Sequence, residues 1–205
     1  MRGTMRTGRL EAFSDGVLAI IITIMVLEMR APLGDDLAAL TPLLPVFLSY
    51  VLSFVYLGIY WNNHHHLLHA THRVSAGVLW ANLHLLFWLS LIPFVTRWMG
   101  ENHFAPAPTA TYGFVLLMAA IAYFILQGRI LATEGPASAL AAALGRDLKG
   151  KASMALDLVA IPAAFALEWI AGAVYVLVAL LWLIPDRRIE RALTSAGADA
   201  GSLQS

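Results

Sequence analysis

Arg9, Phe13, Ser14 and Asp15 follow the spacing R-x-x-x-F-S-D and lead without a break into the apolar run Gly16 to Leu27. A guanidinium, a hydroxyl and a carboxylate at the mouth of such a run sit where charge is expensive, so they need partners or a task. A second polar cluster, Trp61-Asn62-Asn63-His64-His65-His66, closes another apolar run, and Asn82 and His84 interrupt a third. If the first two runs form a hairpin, both clusters lie at the same end. Trp61, Asn62, Asn63, His64, His65, Asn82 and His84 are then the candidate partners of Arg9, Ser14 and Asp15. Five of the seven His residues fall between His64 and His72. On a helix His65, His69 and His72, at i, i+4 and i+7, share one face, a spacing that metal ligands use. Membrane metal enzymes gather ligands from several segments, often with carboxylates, and only His84 and His103 lie elsewhere. The competing reading is an interfacial helix end whose imidazoles bond carbonyls and headgroups or sense pH between roughly 5 and 8. We assign no metal and no organic cofactor.

These clusters must be positioned by membrane-spanning helices. Of 205 residues 60% are hydrophobic and 13% charged, and the mean hydropathy is +0.73. A soluble domain carries roughly a quarter of its residues as charges. The net charge is zero and no basic block appears, which argues against a nucleic-acid partner. The absence of cysteine excludes disulfides, thiol catalysis and thiolate metal sites. The first apolar run lacks a small-x-small cleavage site and ends at Glu28, Arg30 and Pro32, so it reads as a retained span.

Apolar runs long enough to cross a bilayer are expected at about 13–29, 43–62, 76–98, 110–128, 152–167 and 169–185. The last two share one apolar tract, and a turn at Glu168 divides it. With the N-terminus inside, eleven of the thirteen Lys and Arg fall on the inner side, and only Arg30 and Arg97 lie outside. Both termini are therefore expected to be cytoplasmic. Trp61 and Trp182 then lie near the inner interface, and Trp98 and Trp169 near the outer one. Residues 1–191 read as one six-helix domain, and 192–205 as a disordered tail. The loop after Arg129 holds Pro136 and an Ala-rich stretch to Leu144, expected as a short surface helix.

On the first helix Ile20, Thr23, Ile24 and Leu27 stand at i, i+3, i+4 and i+7 and form one narrow stripe. Asp15 falls off that stripe, toward the rest of the bundle. Such a stripe is ordinarily a packing face, and a Thr in it commonly bonds its own backbone. The R-x-x-x-F-S-D motif, six spans in a chain of this length and the Trp-Asn-His cluster together resemble the transmembrane protein 175 family of potassium channels. The likeness is to its single-repeat, prokaryotic members, and it is most specific over residues 9–28. It implies an all-α membrane protein that forms a homotetramer in a prokaryotic plasma membrane, with first helices lining a pore for potassium and other monovalent cations. It also implies that Ile20, Ile24 and Leu27 form hydrophobic rings, with Ile20 the narrowest and Thr23 a hydroxyl ring between them. The motif residues Arg9, Phe13, Ser14 and Asp15 would hold the pore helix in place without touching the ion.

Thr111-Tyr112-Gly113 echoes a potassium-channel filter but opens a span, so a carbonyl-lined filter is not expected. Hydrophobic rings favour potassium over sodium modestly, because potassium sheds water more easily; weak selectivity is the expectation. The runner-up is a secondary transporter, which would show repeated halves or midplane polar groups. A His-liganded enzyme comes third, since no Ser/His/Asp set, carboxylate pair or phosphate-binding loop appears.

Overall fold

Polar caps and prolines divide this apolar chain into helices. The structure is a computed structural model that describes residues 7–135, 138 and 147–183, and all regular structure among them is helical. Helix α1 is Thr7–Leu27. A 3-10 helix, Leu37–Leu43, is capped by Asp36, whose Oδ1 accepts the Ala39 N–H at 3.0 Å. It runs directly into α2, Leu44–His69, where Pro45 occupies the first turn, a position that needs no N–H. Helix α3, Ala76–Ser90, starts at the Ser75 cap, and α4, Ile92–Glu101, continues it after a bend at Leu91. Pro93 in the first turn of α4 cannot donate back to α3, which accounts for the bend.

Helix α5, Pro106–Glu134, follows a tight turn in which His103 and Phe104 both take positive φ. Helix α6 is Leu148–Ala166, capped by Asp147, and α7 is Glu168–Leu183. Between them Leu167 leaves helical geometry (φ −150°, ψ 87°), and the two helices pack against each other as a hairpin.

Four stretches, Thr7–Leu27, Leu37–His69, Ala76–Glu101 and Pro106–Glu134, are long and apolar enough to cross a bilayer, and Trp169–Leu183 is a shorter apolar helix. The molecule is an all-helical membrane protein. Three helix bounds differ from the apolar runs in ways that matter. Helix α1 begins at Thr7, so the R-x-x-x-F-S-D residues lie on the helix and not ahead of it. Helix α2 continues to His69 and carries four of the clustered His residues with it. The stretch 76–98 belongs to two helices. Polar residues extend these helices because backbone bonding inside a helix continues past the edge of the apolar run. The expected surface helix up to Leu144 and the tail 192–205 lie outside the described residues.

Helix α5 packs on α3, α4, α6 and α7, whereas α1 packs on α2, α3 and α4. The Thr111-Tyr112-Gly113 segment is inside α5, where it serves packing. A Cβ at Gly113 would fall 1.9 Å from the Tyr175 hydroxyl, so only glycine lets that ring lie against α5. Buried hydroxyls are joined across the helices: Ser53 Oγ lies 2.6 Å from Thr96 Oγ1 and 3.1 Å from the Tyr112 hydroxyl. The Tyr56 hydroxyl donates to the Tyr175 carbonyl at 2.7 Å. Each such bond satisfies a group that would otherwise be desolvated without return.

Candidate functional site: the two faces of α1

Helix α1 buries one face and leaves the other open. Leu10, Ser14, Leu18, Ile21 and Met25, spaced by three or four residues, are buried against α2, α3 and α4. On the opposite side Phe13, Ile20, Ile24 and Leu27 are 53%, 59%, 39% and 79% exposed. Thr23 shares this open face, and its hydroxyl donates to the Ile20 carbonyl at 2.9 Å. With its hydrogen committed to the backbone, the Thr23 oxygen keeps lone pairs free on the open side. The four expected stripe residues thus share an exposed face of α1.

The buried face is tied to the bundle by a chain of polar groups. The Ser14 hydroxyl donates to the Leu10 carbonyl at 2.9 Å and accepts from Asn82 Nδ2 at 3.0 Å. Asn82 Oδ1 then lies 2.7 Å from His64 Nε2. The amide oxygen can only accept, so His64 carries its hydrogen on Nε2. Ser14, Asn82 and His64 are essentially inaccessible to solvent. One residue each from α1, α3 and α2 therefore closes a dry, directional lock at one end of the bundle.

Beside the lock, two further pairs cross from α1 to α2. Trp61 Nε1 donates to Asp15 Oδ1 at 3.1 Å, and His65 Nδ1 lies 2.8 Å from Glu11 Oε1. Glu11 and Asp15 are one turn apart, as are Trp61 and His65, so antiparallel helices match them in register. The His65 ring also stacks on Trp61 and His69, with ring centroids 6.2 and 6.0 Å away. At the other end of α1, Arg97 of α4 bonds Glu28 and, at 2.8 Å, Glu101. Both ends of the helix are thereby fastened.

Several expected partners lie elsewhere. Asp15 does not point into the bundle: it is half-buried at the rim, and its neighbour Ser14 occupies the interior because residue 14, not 15, is in phase with Leu10 and Leu18. Arg9 is exposed and meets no acceptor among the described residues. Asn62 is exposed, and Asn63 Nδ2 bonds back to the Ile59 carbonyl at 2.8 Å. His84 Nε2 accepts from Trp88 Nε1 at 2.9 Å, one turn away on its own helix. His72 goes to Glu134 of α5, whose Oε1 also accepts the backbone N–H groups of His72 and Arg73 at 2.7 and 2.9 Å. The aligned His65, His69 and His72 therefore do not converge, since His72 lies beyond the end of α2. Among the described residues no three His, Asp or Glu side chains meet as metal ligands would. Glu11 and the Glu28–Arg97 pair were not among the expected residues, although the four-residue step from Glu11 to Asp15 was a usable signal.

The sequence pattern of the family described as "Endosomal/lysosomal potassium channel TMEM175" matches residues 9–93. A potassium channel from Chryseobacterium sp. (strain P1-3) is 56% identical over 189 residues, covering 92% of this chain and 98% of that protein. A potassium channel from Streptomyces collinus is 33% identical over 62% of this chain and 66% of that one. The solved structure of a lysosomal potassium-selective channel TMEM175 homolog from Chamaesiphon minutus superposes with a TM-score of 0.77 at 27% identity. It covers 88% of this chain and 97% of the other.

Proposed function

The chain belongs to the TMEM175 family of potassium channels, and from that premise we propose that four copies surround a potassium conduit whose wall is the open face of α1. One observation carries the proposal: α1 presents Ile20, Thr23, Ile24 and Leu27 on a face that the fold leaves exposed, while Leu10, Ser14, Leu18, Ile21 and Met25 on the opposite face are buried. Around a shared axis these residues become rings. The apolar rings at Ile20, Ile24 and Leu27 offer an ion no oxygen ligands, so passage requires partial loss of hydration water. That cost is lower for potassium than for sodium, and selectivity is correspondingly weak. The Thr23 oxygens, with free lone pairs, give back some of the lost hydration between the apolar rings.

The Ser14–Asn82–His64 lock and the two rim pairs hold α1 at the angle the rings need, and none of them faces the conduit. The Lys and Arg distribution supports an orientation with both termini on the cytoplasmic side of a prokaryotic plasma membrane. Because the chain contains no cysteine, Ile20→Cys, Ile24→Cys and Ile21→Cys test the wall directly with a small charged thiol reagent. Current through the first two variants is expected to fall irreversibly, and current through the third, whose side chain is buried, to persist. Equal responses at all three positions would refute this wall.

A further inference from the structure

A second polar feature lies away from α1, in a partly open cavity of about 60 Å³ lined by α2, α5, α6 and α7. Its wall includes Asp157, midway along α6 and only 3% exposed. The Asp157 Oδ1 atom is shielded from solvent and has no hydrogen-bond partner. An ionised carboxylate in such a place demands a counter-charge. Among the described residues no Lys, Arg or His lines the cavity, and the Lys149 ammonium sits over the ring of the lining residue Trp182, 4.8 Å from its centroid, whereas a second carboxylate, Asp147, does line it. Asp147 is already engaged, accepting the Gly150 N–H at 2.9 Å as the cap of α6. Uncommitted oxygens are nevertheless at hand. The Tyr60 hydroxyl makes no hydrogen bond among the described residues, and Ser153 Oγ, which accepts from Trp182 Nε1 at 2.8 Å and donates to the Lys149 carbonyl, retains a lone pair.

We propose that this cavity is a binding site for a small inorganic monovalent cation, with Asp157 as its counter-charge and the oxygens of Tyr60 and Ser153 as neutral ligands. The size admits such an ion with a water or two. A calcium ion would want six or more oxygens around it, and Asp157, Tyr60 and Ser153 together offer fewer. The ion would sit inside each subunit, outside the proposed conduit, and would brace α6 and α7 against α2 and α5.

The test is thermal unfolding of the full-length protein at constant ionic strength, comparing potassium or sodium chloride with the chloride of N-methylglucamine, a much bulkier cation. A cation at ten times its dissociation constant favours the folded state about elevenfold, a rise in Tm of roughly 3–6 °C. The wild type is expected to show a saturable rise of this kind and Asp157→Asn to lose it. Should Asp157→Asn fail to fold, Tyr60→Phe replaces it, and a several-fold higher cation requirement is expected. Thallium, a heavy mimic of potassium, should give an anomalous scattering peak beside Asp157 in crystals of the wild type. The proposal is overturned by a Tm indifferent to small cations, or by cation dependence unchanged in these variants. A Tm that follows pH alone, equally in every salt, would also overturn it and would mean that a proton neutralises Asp157. None of these readouts uses current, so the result stands apart from conduction.

Discussion

Asn82 of α3 donates a hydrogen bond to Ser14 of α1 at 3.0 Å, in a place where neither side chain meets solvent. The same amide engages His64 of α2 through its oxygen at 2.7 Å, so one side chain orients three helices. A buried polar group of this kind adds little net stability when satisfied but costs much when its partner is removed. Its value here is directional, since a slide or rotation of α1 by one residue would break the chain and move the open face.

Asn82→Leu should therefore be more damaging than its position within an apolar helix suggests. It strands the His64 N–H and adds bulk beside Ser14, at an expected cost of about 2–4 kcal/mol. Thermal unfolding of the assembled protein measures this. Ser14→Ala removes the bonds to the Leu10 carbonyl and from Asn82 but leaves a single Asn82 hydrogen unpaired, and should cost about half as much.

The rim pairs predict a milder pattern. Asp15→Ala and Trp61→Phe should each weaken the α1–α2 seam by about 1 kcal/mol or less, because the bond lies in a partly exposed place. The double variant should be no worse than the more harmful single one, which a double-mutant cycle on thermal stability reads. Reversal potentials should be unchanged in all three, since Asp15 is off the open face. Altered selectivity in an intact assembly would refute the clamp role.

At the far end of α1, Arg97→Met should loosen the link to Glu28 only slightly, because both side chains are about a third exposed. The loss should shrink as salt rises, since screening already weakens an exposed pair. Stability in low and high salt checks it.

Trimming the proposed constriction has the opposite sign. Ile20→Ala widens an apolar ring, so more water accompanies the ion. Current should rise several-fold, and the preference for potassium over sodium should fall, as measured by single-channel recording. Met25→Ala, on the buried face of the same helix, should change stability and leave selectivity alone.

Much of this was legible in the sequence, and the reason is periodicity. The open stripe and the membrane-spanning helices follow from a 3.6-residue repeat and from apolar length, which are properties of one segment at a time. The partners of the motif were harder to read. Trp61, His64 and Asn82 were among the candidates, but so were Asn62, Asn63 and His84, which bond locally or face outward. Choosing between them requires the rotation of one helix against another, and no single segment encodes that. The exchange of roles between Ser14 and Asp15 shows how fine the matter is, because neighbouring residues differ by about 100° around the axis. Asp157 was passed over for a related reason: its isolation appears only once α2, α5, α6 and α7 close around it.

The central claim is a potassium-selective conduit formed by copies of this chain. The most direct measurement is current through purified protein in planar bilayers, with potassium on one side and sodium on the other. Discrete openings with a reversal potential displaced modestly toward the potassium equilibrium value are predicted. Intact, assembled protein that passes no current under either gradient, or that shows no displacement, would contradict the account.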